Sequence, residues 1–120
     1  MKRTNLVGRR VRYAEEKFYL AYRALATGPG DVCSRLHGAS LHFDTVRPED
    51  LPPKLRRDFR WIVRRLTSRE PRRIVKETVV DGSVKASLDQ MQNRTGARIA
   101  ERIVKIAEAL EGMVYSSVLR

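Results

Sequence analysis

A chain of 120 residues has room for one domain and one hydrophobic core, and an apolar fraction of 42% excludes disorder throughout. The formal net charge of +11 points to polyanionic partners: nucleic acid, an anionic membrane or an acidic protein. A single cysteine, Cys33, excludes an internal disulfide and a cysteine-based zinc site, and no stretch reaches the apolar length that spans a membrane.

Only six of the 25 basic residues are lysines; the rest are arginines. Guanidinium groups engage phosphate with a planar fork of donors and stack on bases. A GC-rich genome also favours arginine codons. Codon usage and phosphate engagement are equal alternatives for the ratio of arginine to lysine, but codon usage does not explain the shortage of acids behind the net charge.

Met1 to Arg12 carries Lys2, Arg3, Arg9, Arg10 and Arg12 with no acid, so residues 1–10 read as a basic flexible arm and 11–120 as a single helical domain. No apolar run follows the arm, so it is not a secretory signal, and the expected setting is a bacterial cytoplasm. The first helix is expected over Val11 to Thr27, where Phe18, Ala21, Tyr22 and Leu25 recur at helical steps on one face. Thr27-Gly28-Pro29-Gly30 stops it. Asp31 suits the N-cap of a second helix with Val32, Leu36, Ala39 and Phe43 on its apolar side; Cys33 reads as a small buried hydrophobe.

Pro52 and Pro53 suit the first turn of a third helix, where a missing N–H costs little, and Leu55, Phe59, Ile62 and Leu66 form its apolar stripe. Ser68 to Arg73 is expected as a loop and Ile74 to Val80 as an extended connector. Ser83 is the expected cap of the last element. From there Val84, Leu88, Met91, Thr95, Ile99, Ile103, Ile106, Leu110 and Met113 hold one register through Asn93-Arg94-Thr95-Gly96, which predicts one long helix with a weak point at Gly96. The fold class is therefore all-α: a compact bundle of four to five helices with a long C-terminal helix.

The third helix carries the main candidate site. At ~100° per residue, Arg56, Arg57, Arg60 and Arg64 fall on the side away from Leu55, and residues four apart lie ~6 Å apart along the axis, close to the spacing of successive phosphates. Arg69, Arg72 and Arg73 extend this positive region, with only Asp58 and Glu70 among these arginines. Trp61 lies off the apolar stripe beside Arg57 and Arg65, where it packs on another helix or a partner subunit, or stacks on a base. A second stripe of Arg94, Arg98, Arg102 and Lys105 has Glu101, Glu108 and Glu111 on its flank, which makes an ordinary salt-bridged surface the expected reading there. Arg9 and Arg10 of the arm, with Arg94 and Arg98, complete the set of candidate contacts.

No metal-ligand cluster, phosphate-binding loop, nucleophile elbow or zinc signature is present, and neither a metal nor a cofactor is expected. Arg35 and His42, with six residues between them, resemble the motif of HEPN-type RNases, which are also helical bundles. That resemblance implies a site in which the Arg and the His lie across a composite surface, often made by a dimer. The motif here holds His37 in its interior and sits on a middle helix, away from the last one. The stretches Ala24 to Asp31, Pro52 to Phe59 and Gln92 to Ile103 resemble small uncharacterised bacterial helical proteins, which implies no activity.

The function expected from these residues is a non-enzymatic module that binds nucleic acid, RNA or DNA, mainly through phosphates, as a small subunit of a nucleoprotein or defence complex. The alternative is a protein-interaction module, a regulator or inhibitor docking on an acidic partner or on a second copy of the chain. The HEPN-like RNase stands third. Adsorption to a membrane is disfavoured, because the basic helix faces lack a second, exposed apolar face.

Overall fold

The computed structural model describes residues 8–68, 73–75 and 78–119. Five helices carry the fold: α1 (Arg9–Thr27), α2 (Val32–Phe43), α3 (Pro53–Leu66), α4 (Ser83–Asp89) and α5 (Asn93–Leu119). A 3-10 turn, Pro48–Asp50, leads into α3, and two short strands, β1 (Arg73–Val75) and β2 (Thr78–Asp81), stand between α3 and α4. The fold is an all-α bundle with a long C-terminal helix, as the periodicity predicts. Met1–Val7 of the basic arm, and Arg69 and Arg72, lie outside the described residues.

The core is built from the faces that the apolar spacing marks. All four residues of the α3 stripe, Leu55, Phe59, Ile62 and Leu66, are buried. Phe59 meets Phe18 of α1 and Phe43 of α2 in an aromatic cluster. Phe18 and Phe43 stack with ring centroids 5.0 Å apart, and Phe59 meets them edge-on at 5.9 and 6.2 Å. Offset stacks and T-shaped contacts at these separations are the favoured geometries of the ring quadrupole. Ile99, Ile103, Ile106 and Leu110 of α5 close the core against α1 and α3.

Local chemistry sets the helix ends. The Asp31 carboxylate accepts from the Ser34 N–H at 3.0 Å and caps α2 as expected. This bond holds the Asp31 carboxyl below its ordinary range, because the anion is the better acceptor. Gly30 turns the chain with φ 85°, which only a residue without Cβ adopts readily. Arg35 fastens the same turn: its Nε donates to the Gly30 carbonyl at 3.1 Å and its Nη1 to the Leu25 carbonyl at 3.3 Å. A cation suits the carbonyl end of α1. Pro52 is the N-cap of α3 and Pro53 its first residue.

The structure corrects five expectations. Helix α1 begins at Arg9, with Gly8 as its N-cap and Arg12 N–H bonded to the Gly8 carbonyl at 3.1 Å, so Arg9 and Arg10 are helical. Tyr22 is 41% exposed; the buried face of α1 is Ala14, Phe18 and Ala21. Within the expected connector, β1 and β2 form an antiparallel pair, with Ile74 opposite Val79, Val75 opposite Thr78 and an irregular register at Arg73. Its β-branched residues favour extended backbone, and pairing satisfies the backbone groups.

The fourth correction is the last helix, which is two. The chain leaves helical geometry at Gln90–Gln92, between α4 and α5, and stays helical through Gly96. Tighter bonds from Gln90 N–H to the Ser87 carbonyl and from Met91 N–H to the Leu88 carbonyl close α4. The short break leaves both Leu88 and Met91 packed on the core, so the apolar spacing persists without a continuous helix. The N-cap of α4 is Gly82 and not Ser83, which is its first residue.

Candidate nucleic-acid interface

Helix α3 buries one stripe and presents arginines on the rest of its circumference. Arg57, Arg60 and Arg64 are exposed, and among the described residues none of them is ion-paired. Arg56 differs from the other three. Its Nε donates to the carbonyls of Pro48 and Leu51, both at 2.9 Å, so its guanidinium is half-buried and holds the 3-10 turn against α3. It leaves the set of freely presented cations. The turn also has an internal bond, from Arg47 N–H to Asp50 Oδ2 at 2.9 Å.

On the flank of α3 that faces α5, Trp61 is half-buried and packs against the core. The Arg102 guanidinium lies 4.2 Å from its ring centroid and that of Arg65 5.3 Å. Arg102 also bonds Asp58 at 3.2 Å, across the helix pair. Trp61 is thus an inter-helix contact that two guanidiniums approach, one from α3 and one from α5. Of the neighbours expected from spacing, Arg65 lies against the ring, and Arg102 joins it from α5.

These contacts join the two basic stripes. Trp61 and Asp58 meet Arg102, while Arg65, one turn further along α3, borders a cavity with Thr95 and Gln92 at the start of α5. The two helices therefore run antiparallel there. Arg98 and Arg94, one and two turns before Arg102, lie along the same edge and are exposed. Among the described residues Glu101, Glu108 and Glu111 form no ion pair with this stripe, and the acid bonded to it is Asp58 of α3. The result is a basic band that runs from Arg60 over Arg64 and Arg57 to Arg65, and on to Arg98 and Arg94.

Two more candidates stand at the other end of α3. Arg10 Nε comes within 3.9 Å of Asp50 in the 3-10 turn, which brings the start of α1 to the turn that Arg56 holds; Arg9 is exposed beside it. Arg73 is the first residue of β1, and its side chain lies outside the described ones.

The acids gather elsewhere. Glu15, Glu108 and Glu111 line a small cavity between α1 and α5 with Tyr19 and Tyr22. Burial pushes the Glu15 carboxyl up, and the charges of Glu111 and Glu16 push it further, against the opposing pull of Arg12. A carboxyl whose folded pKa lies above its unfolded value is penalised in its charged form. Stability therefore falls as pH rises from the ordinary glutamate range through the folded pKa, and the penalty is complete above it. Glu15→Gln is expected to raise the melting temperature at neutral pH and to leave it unchanged in acid, where Glu15 is protonated in both states. Thermal melts across that range check this.

Both residues of the nuclease motif lie on α2. Arg35 is committed to the α1–α2 turn through two carbonyls, and His42 is half-buried two turns away on α2. The buried Cys33 thiol is pushed up by desolvation and by Asp31, which keeps it protonated and a poor nucleophile. Among the described residues no cluster of His, Cys, Asp or Glu could hold a metal ion, and no helix is long and apolar enough to cross a membrane.

No protein-family model, curated protein or solved structure matches this chain.

Proposed function

We propose that this chain is a non-enzymatic helical module that binds nucleic acid mainly through phosphates, in a bacterial cytoplasm and as a subunit of a larger nucleoprotein. The observation that carries this reading is the run of exposed Arg57, Arg60 and Arg64, unpaired among the described residues, continued past Arg65 by Arg98 and Arg94 on the adjoining helix. Phosphate contacts of this kind give affinity with little sequence readout. The test is a titration of purified protein against labelled RNA and DNA oligomers of unrelated sequence at several salt concentrations. Saturable binding that weakens steeply with salt, and similar affinities across sequences, are expected. Absent binding, or binding indifferent to salt, rejects the reading.

The RNase reading is the weaker one because Arg35 already spends two of its donors on the α1–α2 turn. Wild-type protein incubated with labelled RNA in chelator is expected to leave it intact. Robust cleavage that disappears in His42→Ala, with the fold retained, would reverse that judgement.

A further inference from the structure

Between α2 and α3 lies a groove of about 540 Å³ whose walls are predominantly apolar. Its floor reaches down to Phe43, Val46 and Leu66 of the core, and its upper walls are Leu41 of α2 and Val63 of α3. Leu41 is 61% exposed and Val63 38% exposed, although each stands beside buried neighbours on its own helix. Arg47, Arg60 and Arg64 border the groove, with Asp44 as the one acid among the described residues lining it. Sequence spacing did not reveal this surface. Leu41 and Val63 fall off the apolar stripes of their helices, and only the packing of α2 on α3 brings them together.

We propose that this groove docks an acidic amphipathic segment of a protein partner. The apolar walls require a ligand with apolar side chains to bury, which a sugar–phosphate backbone lacks. The cationic border requires carboxylates on the flanks of those side chains. An amphipathic segment with Leu-type residues on one edge and Asp or Glu beside them satisfies both requirements, in the manner of a helix laid into a groove. The inference does not rest on nucleic-acid binding, although the two surfaces share Arg60 and Arg64. A partner seated in the groove would cover one end of the basic band and compete with a polyanion there.

The test uses the full chain and a fluorescein-labelled amphipathic peptide carrying Leu at i, i+4 and i+7 with Glu on both flanks. Fluorescence anisotropy is expected to show saturable binding that falls at least ~10-fold in Leu41→Asp and in Val63→Asp, and in a peptide whose Leu residues are replaced by Ser. Arg57→Glu, outside the groove, is expected to keep peptide binding while weakening an oligonucleotide; Leu41→Asp is expected to do the reverse. Peptide binding that ignores Leu41→Asp, or no saturable binding at all, overturns the proposal. So does loss of oligonucleotide binding in Leu41→Asp, which would assign the groove to nucleic acid. A fall of several degrees in the melting temperature of Leu41→Asp would overturn it too, by showing that this chain fills its own groove. Self-association of the wild type lost in the same variant would assign the groove to a second copy instead.

Discussion

The triple reversal Arg57→Glu, Arg60→Glu and Arg64→Glu is expected to weaken nucleic-acid binding by about 100-fold or more at moderate salt while leaving the fold intact. Two unit charges 4 Å apart in water interact by roughly 1 kcal/mol, and reversal replaces an attraction with a repulsion at each of three positions, before screening reduces the sum. Each phosphate that the variant no longer neutralises should also flatten the slope of log K against log salt by ~0.9 on duplex DNA and ~0.7 on single strands. The fold should survive because all three side chains are exposed and form no ion pair among the described residues. Arg56 is left out of the variant on purpose, since its bonds to Pro48 and Leu51 hold the turn that precedes α3. A second triple variant, Arg57→Lys with Arg60→Lys and Arg64→Lys, separates two mechanisms. If Coulomb attraction dominates, it retains most of the binding; if bidentate guanidinium contacts dominate, much of the binding disappears. Anisotropy titrations over a salt series read both quantities. An unchanged affinity and slope for the reversed protein would remove α3 from the interface.

How much of this was legible in the sequence differs from element to element, for physical reasons. The α3 stripe could be read completely, because Leu55, Phe59, Ile62 and Leu66 repeat at the helical period and every one is buried. Tyr22 misled, because a tyrosine at an apolar position of the period can lie across the surface with its hydroxyl in water. The break at Gln90–Gln92 was hidden, because a periodic pattern reports which residues face the core and not whether the backbone between them is helical. The four arginines of α3 looked alike in sequence. Arg56 separates from the others only because the 3-10 turn brings the Pro48 and Leu51 carbonyls to its Nε. The union of the two basic stripes depends on the clasp of Trp61 by Arg65 and Arg102, and the groove depends on how α2 lies on α3; both are products of tertiary packing. Binary pattern fixes a helix's inward face, but the composition of its outward face leaves open which charges are committed locally.

Gly96→Ala is expected to lower the melting temperature by several degrees. In an exposed helix interior the same change would stabilise by up to ~1 kcal/mol, since alanine has the higher helix propensity. Gly96 is helical and buried in the first turn of α5, so that gain is available in principle. The space for a methyl group is not. A Cβ built there would stand 3.0 Å from Cys33 Sγ, 3.1 Å from Val32 Cγ1 and 3.4 Å from Leu36 Cδ1, all on α2. Sγ and Cγ1 are each one bond from their own Cβ, so each moves away either by a change of χ1 rotamer into a packed surrounding or together with the helix that carries it. Without a rotamer change, relief requires α2 and α5 to separate by a few tenths of an ångström, which loosens packing around Leu36 and Ile99. Overpacking of this kind costs ~1–3 kcal/mol, against a propensity gain of up to ~1 kcal/mol, and the net loss of up to about 2 kcal/mol shifts the melting temperature of a domain this size by up to roughly 12 °C. A double-mutant cycle locates the cause. Cys33→Ala removes the nearest atom, so the cost of Gly96→Ala should shrink markedly in that background, with a coupling of about 0.5 kcal/mol or more. Independence of the two changes, or a melting temperature that rises in Gly96→Ala, would show that the helices do not meet closely at this glycine. The seat of α5 on α2 would then be looser than the geometry implies.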